Sequence, residues 1–220
     1  VNQTPPQSPY GQPLTNTNDN IELLKAWAGT TFAYAVLLVG GASGLFQGIF
    51  VTALWVSGVV CGLAFVLHEL AHRIVARRYG AEAHFIANNG MLLVSIAIAF
   101  GGIFFAAPGA VWHRGYLTKQ QSGLIALAGP VTNLVLALIF ALIWIVLNPD
   151  PRSVTYILVS TGYRLNAFIG LFNMIPAGPF DGKKVIDWSV PVFVVTLAIA
   201  GALTFLINEQ HIYSLIRALH

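Results

Sequence analysis

Charge is what this chain has least of. Only 9% of its 220 residues are Asp, Glu, Lys or Arg, against 56% hydrophobic, and no charged side chain occurs in 26–67, 120–149, 165–180 or 188–208. Gaps of that length exclude the evenly charged surface of a soluble domain and leave room for apolar spans of about 20 residues. A mean hydropathy of +0.73 points the same way. Cysteine is nearly absent too. The single Cys61 excludes an intrachain disulfide and a thiolate metal cluster, and its apolar neighbours make it a packing residue. The net charge of +3 does not imply a nucleic-acid partner, because most basic residues lie directly beside apolar segments, as positive-inside topology requires.

What is present reads as an all-α membrane protein: a polytopic helical bundle of about five to six transmembrane segments, with a re-entrant β-hairpin-like element. Residues 1–21, rich in Gln, Asn, Thr and Pro, are expected to be a flexible polar tail or linker, leaving 22–220 as the membrane domain. The tail lacks the n- and h-regions of a signal peptide, and a chain beginning at Val1 is expected to be part of a longer product. Residues 26–39 and 48–67 form a helical hairpin around "GGASG", the second helix continuing to Arg78. Further spans are predicted at 124–147, 154–175 and 190–207, and the tail "HIYSLIRALH" has the spacing of an interfacial helix.

Parity decides the awkward stretch 89–115. Arg73, Arg77 and Arg78 place the end of the second helix inside, and Lys183 and Lys184 place the residues after 154–175 inside too. Two crossings already lie between those points, so 89–115 contributes no net crossing and is re-entrant. Its second half, "GGIFFAAPGAVW", has paired glycines, aromatics and a Pro-Gly turn signal that suit a hairpin.

Against this apolar background stands "HELAH", residues 68–72. On a helix, the i, i+4 spacing puts His68 and His72 on one face, where both imidazoles can reach one Zn²⁺, with Glu69 beside it as a general base. Ionisable groups at the edge of a span are costly to bury and mark function; the plain alternative is that they snorkel to the interface beside the arginines. A catalytic zinc site needs a third protein ligand. Asp181 in "FNMIPAGPFDGKK" ends an apolar span on the same predicted side, with Pro176 to end the helix, Pro179 to keep the chain extended and Gly182 to allow a tight turn. Taken alone, the segment fits a membrane-exit turn with a solvated aspartate equally well.

With "HELAH", "NMIPAGPFDG" and "AGPVTN" (128–133) in this order on apolar segments, the chain resembles the site-2 protease family of intramembrane zinc metalloproteases, in a compact form without a PDZ domain, over about 48–185. The resemblance implies one zinc ion per chain held by His68, His72 and Asp181, with Glu69 as the base. It implies that Asn133 binds the substrate backbone or the oxyanion; from the residues alone, Asn133 serves an interhelical hydrogen bond as readily. Asn166, Gly170 and Asn173 give the 154–175 span a small polar face expected to pack on the HELAH helix. The substrates implied are transmembrane proteins cleaved within or near their helices, in the cell membrane, with the active site near the cytosolic side. Two rivals remain at this point. One is a prenyl-protein endopeptidase, which would need a glutamate as third ligand; the other is a membrane metal-binding or transport protein using the same ligands without hydrolysis.

Overall fold

A computed structural model describes residues 18–104, 109–114, 116–207 and 209–219. The chain divides into two units, Val1–Glu69 with Gly80–Gly115, and Leu70–Tyr79 with Tyr116–His220.

In the first unit, α1 (Asp19–Leu38) starts where the Asn18 side chain accepts a hydrogen bond from the Asn20 N–H. The helix begins at Asp19, within the stretch 1–21 expected as the polar tail. Gly40 and Gly41, both at positive φ, end the helix and turn the chain. The hairpin predicted around "GGASG" forms, and α2 (Ile49–Cys61) returns along α1. The Trp27 indole N–H donates to Gly58 O at 2.8 Å. Cys61 is fully buried, as a packing residue should be. A single π turn, Gly62–Val66, then leads without a break into α3 (Leu67–Arg78), so Ile49–Arg78 is one helical run of 30 residues.

The remainder of this unit departs from the predicted hairpin. Gly109–Arg114 (β2) is extended, but its antiparallel partner is Glu82–Ala87 (β1), in register from Glu82 opposite Arg114 to Ala87 opposite Gly109. Between the strands runs α4 (Asn89–Phe100), capped by the Asn88 side chain on the Met91 N–H. The tip of the expected hairpin, 105–108, lies outside the described residues. The strand β1 went unrecognised because its value lies in what it meets. Its Ala87 N–H donates to the buried Glu22 carboxylate at 3.0 Å, and His84 Nδ1 pairs with Asp19 at 2.9 Å, fastening it to the first turns of α1.

In the second unit, α5 (Lys119–Leu147) opens with a reciprocal capping box between Thr118 and Gln121 and closes at Asn148 in the left-handed conformation. Helix α6 (Val154–Phe172), capped by Ser153, runs back along it. A Cβ on Gly162 would come within 2.5 Å of the Phe140 ring, and one on Gly170 within 2.8 Å of Leu134, so small residues set how closely α6 approaches α5. The small polar face of α6, expected to pack on the HELAH helix, meets α5 at Asn166 and Gly170. Beyond it follow α7 (Asp181–Trp188), α8 (Val190–Gly201), a second π turn (Ala202–Leu206) and α9 (Glu209–Leu219).

The protein is mostly helical. Among the described residues three helical runs are long and apolar enough to cross a bilayer, Asp19–Leu38, Ile49–Arg78 and Lys119–Leu147; a fourth is added if Val190–Leu206 and Gln210–Arg217, bent by 84°, count as one span. Their outward faces carry large apolar side chains, among them Val51, Trp55, Leu138 and Leu142, which suits contact with lipid.

Candidate metal centre

Two histidines one turn apart do not make a metal site until something orients their rings. For His72 that part is played by the helix opposite. Its Nδ1 lies 2.7 Å from the backbone oxygen of Ile125 on α5. A carbonyl can only accept, so the ring proton sits on Nδ1, and in the neutral imidazole the Nε2 lone pair is left for a cation. Ring-to-carbonyl bonds of this type fix tautomer and orientation in metal-ligating histidines. The Nε2 atom faces Asp181 Oδ2 at 3.2 Å. Two acceptors that close call for a shared cation, either a proton or a metal.

Asp181 reaches this position through the loop after α6. The helix ends at Phe172, with Asn173 as its cap and Pro176 three residues beyond it. Met174 turns inward to full burial among Ala126, Val185 and Phe193, and Phe172 packs edge-on against Phe180. The chain then re-enters a helix at Asp181, whose side chain lies in the first turn of α7, where the helix dipole favours a negative charge. Gly182 is needed here, though not for a turn: it is helical, its N–H donates to Asn173 O at 2.7 Å, and a Cβ would lie 2.3 Å from Met174 O. Only glycine lets the start of α7 lie so close to the end of α6.

The unit boundary falls inside α3, between Glu69 and Leu70, and the continuous helix carries His68 one turn from His72. His68, His72 and Asp181 have exposures of 4%, 7% and 9%. The donor set suits zinc. Ligand atoms about 2.0–2.2 Å from a tetrahedral ion stand roughly 3.3 Å apart, close to the separation of His72 Nε2 and Asp181 Oδ2. Glu69 is half-buried on the same helix. Asn133 is fully buried, and its amide donates to Asn166 Oδ1 at 2.9 Å, while Asn166 in turn donates to Gly162 O.

The sequence model of peptidase family M50 matches residues 57–156. A Methanocaldococcus jannaschii protein named "Putative zinc metalloprotease MJ0611" is 40% identical over 154 residues, 69% of this chain and 80% of that one. The chain belongs to peptidase family M50. It is a zinc metalloprotease of the intramembrane site-2 type, with Zn²⁺ as its cofactor, and the family does not favour the transport reading. The Bacillus subtilis "Putative zinc metalloprotease YwhC" is 30% identical over 148 residues, 59% of this chain and 66% of its own. The M. jannaschii "Zinc metalloprotease MJ0392" is 27% identical over 71% of this chain and 40% of its own. No solved structure matches the chain.

Proposed function

We propose that His68, His72 and Asp181 hold the zinc ion and that Glu69 is the general base for hydrolysis of peptide bonds in transmembrane substrates. The observation that carries this reading is the double commitment of His72, with Nδ1 on Ile125 O and Nε2 towards Asp181. Zinc held by these three residues would supply Lewis acidity to the reaction. Glu69 takes the proton from the attacking water and delivers it to the departing amine. Asn133 holds the substrate backbone, its carboxamide steadied by Asn166. A substrate helix must unwind before its amides are accessible, so Gly, Pro or Asn near the cut favour cleavage.

The membrane domain comprises 22–220, with a catalytic core of about 48–185. It crosses the cell membrane about five times when α6, less apolar because of Arg164 and Asn166, and the bent run 190–217 are counted as spans. At about 18 Å, α4 is too short to cross alone. Segment 89–115 is re-entrant and offers β2 to an unwound substrate by strand addition. The basic residues around α3 and α7 put the metal centre near the cytosolic side.

The test is Glu69→Gln. The variant should bind zinc as wild type does and lose cleavage of a single-span substrate by a factor of about 10² or more. Undiminished cleavage would refute Glu69 as the base.

A further inference from the structure

The turn of α5 from Gly123 to Ala126 supports two of the proposed ligands at once. Ile125 O holds His72 by its ring N–H. The residues on either side of it carry α7, the eight-residue helix that opens with Asp181. Ala126 packs with the fully buried Val185 near the middle of α7, and Gly123 meets Trp188, its last residue. All of these residues lie in the second unit.

A Cβ on Gly123 would stand 2.6 Å from Trp188 Cβ, 2.7 Å from Cε3 and 2.8 Å from Cδ2. A long side chain could swing away from such a methyl, but a Cβ moves only with its own backbone. Glycine at 123 therefore lets α7 lie as close to α5 as it does, and the half-buried Trp188 ring on that glycine keeps the gap filled. Neither end of α7 has slack. At the first turn the Gly182 N–H donates to Asn173 O at 2.7 Å. At the last, a single extended residue, Ser189, joins α7 to α8; its N–H donates to Val185 O at 2.8 Å and its carbonyl accepts from the Phe193 N–H at 3.0 Å. A helix about 12 Å long, held at both ends, moves as one piece. If the contact between 123 and 188 changes, either α7 shifts and takes Asp181 with it, or α5 shifts and takes Ile125 O and His72. Both alter the 3.2 Å between His72 Nε2 and Asp181 Oδ2, and metal–ligand distances tolerate only about 0.2 Å.

We propose that Trp188, seated on Gly123, is a positioning residue of the metal centre: it fixes the separation of α7 from α5 and thereby aligns Asp181 with His72. This role rests on the reading of His72 and Asp181 as zinc ligands.

The test measures the zinc affinity of the full chain in detergent micelles by competition with a chromophoric chelator, alongside thermal melting. Gly123→Ala and Trp188→Ala should each weaken zinc binding about tenfold, while Trp188→Phe, which keeps the Cβ and an aromatic face on Gly123, should stay within about twofold of wild type. Gly162→Ala controls for loss of stability alone, since its methyl would come within 2.5 Å of the Phe140 ring, about 22 Å along α5 from Ile125. It should lower the melting temperature and leave zinc affinity as it is. With Co²⁺ in place of zinc, the visible bands of Trp188→Ala should shift and those of Gly162→Ala should not. Wild-type zinc affinity in both Gly123→Ala and Trp188→Ala would overturn the proposal, and so would an equal loss in Gly162→Ala. Asp181→Ala separates this role from the ligand assignment. A sharp loss there beside unchanged affinity in the other two overturns the positioning role alone, whereas unchanged affinity in Asp181→Ala removes the ligand and the positioning role together.

Discussion

Gly182 is the residue at which the smallest chemical change should most disturb the metal centre. An added methyl would meet the Met174 backbone at 2.3–2.4 Å, and backbone cannot swing aside as a flexible side chain can. Gly182→Ala should therefore lower stability by about 1–3 kcal/mol and reduce zinc content by displacing Asp181, read by thermal melting and metal analysis. Asp181→Ala removes the carboxylate without that clash. Zinc occupancy should fall sharply while the helical signal persists; full occupancy and full activity in this variant would remove Asp181 from the ligand set. These residues were unequally legible in the sequence. His68, Glu69, His72 and Asp181 stand out because few residue types ligate zinc or move protons, and in this chain they interrupt apolar runs. The carbonyl of Ile125 could not be read, since every residue carries one and only the fold decides which faces an imidazole. Gly182 was visible but misread: a turn and a close backbone approach both ask for glycine.

Among the elements, α5 and α6 carry the clearest energetic test. Asn133 and Asn166 are both fully buried and bonded to each other, so truncating either leaves the other's polar atoms short of a partner. Asn133→Ala and Asn166→Ala should each cost about 1–3 kcal/mol in denaturant titrations. If Asn133 also holds substrate, its replacement should depress kcat/KM well beyond the effect of Asn166→Ala; matching losses would reduce it to packing. The long helices were legible because their apolar runs exceed what a soluble core uses. The sheet was legible only in part. The extended character of 109–114 follows from its Pro-Gly turn and aromatics, whereas its partner lies before α4, where a six-residue segment gains its stability from Glu22 and Asp19 on α1. Such long-range pairing leaves no periodic mark in six residues.

For the whole molecule, the proposed topology makes a sided prediction. With Cys61 replaced by serine, a cysteine at Lys184 should react with an impermeant thiol reagent only from the cytosolic side, and one at Arg152 only from the opposite side; reaction of both from the same side would deny that α6 crosses the bilayer. Zinc-dependent hydrolysis inside a membrane is the activity to test. The most direct measurement reconstitutes the full chain with a single-span substrate and maps the cleaved bond by mass spectrometry, before and after a chelator and after zinc is restored. The cut should fall within or at the edge of the substrate's span, be lost with the chelator and return with zinc. A cut confined to the substrate's soluble region, or one indifferent to the metal, would contradict it.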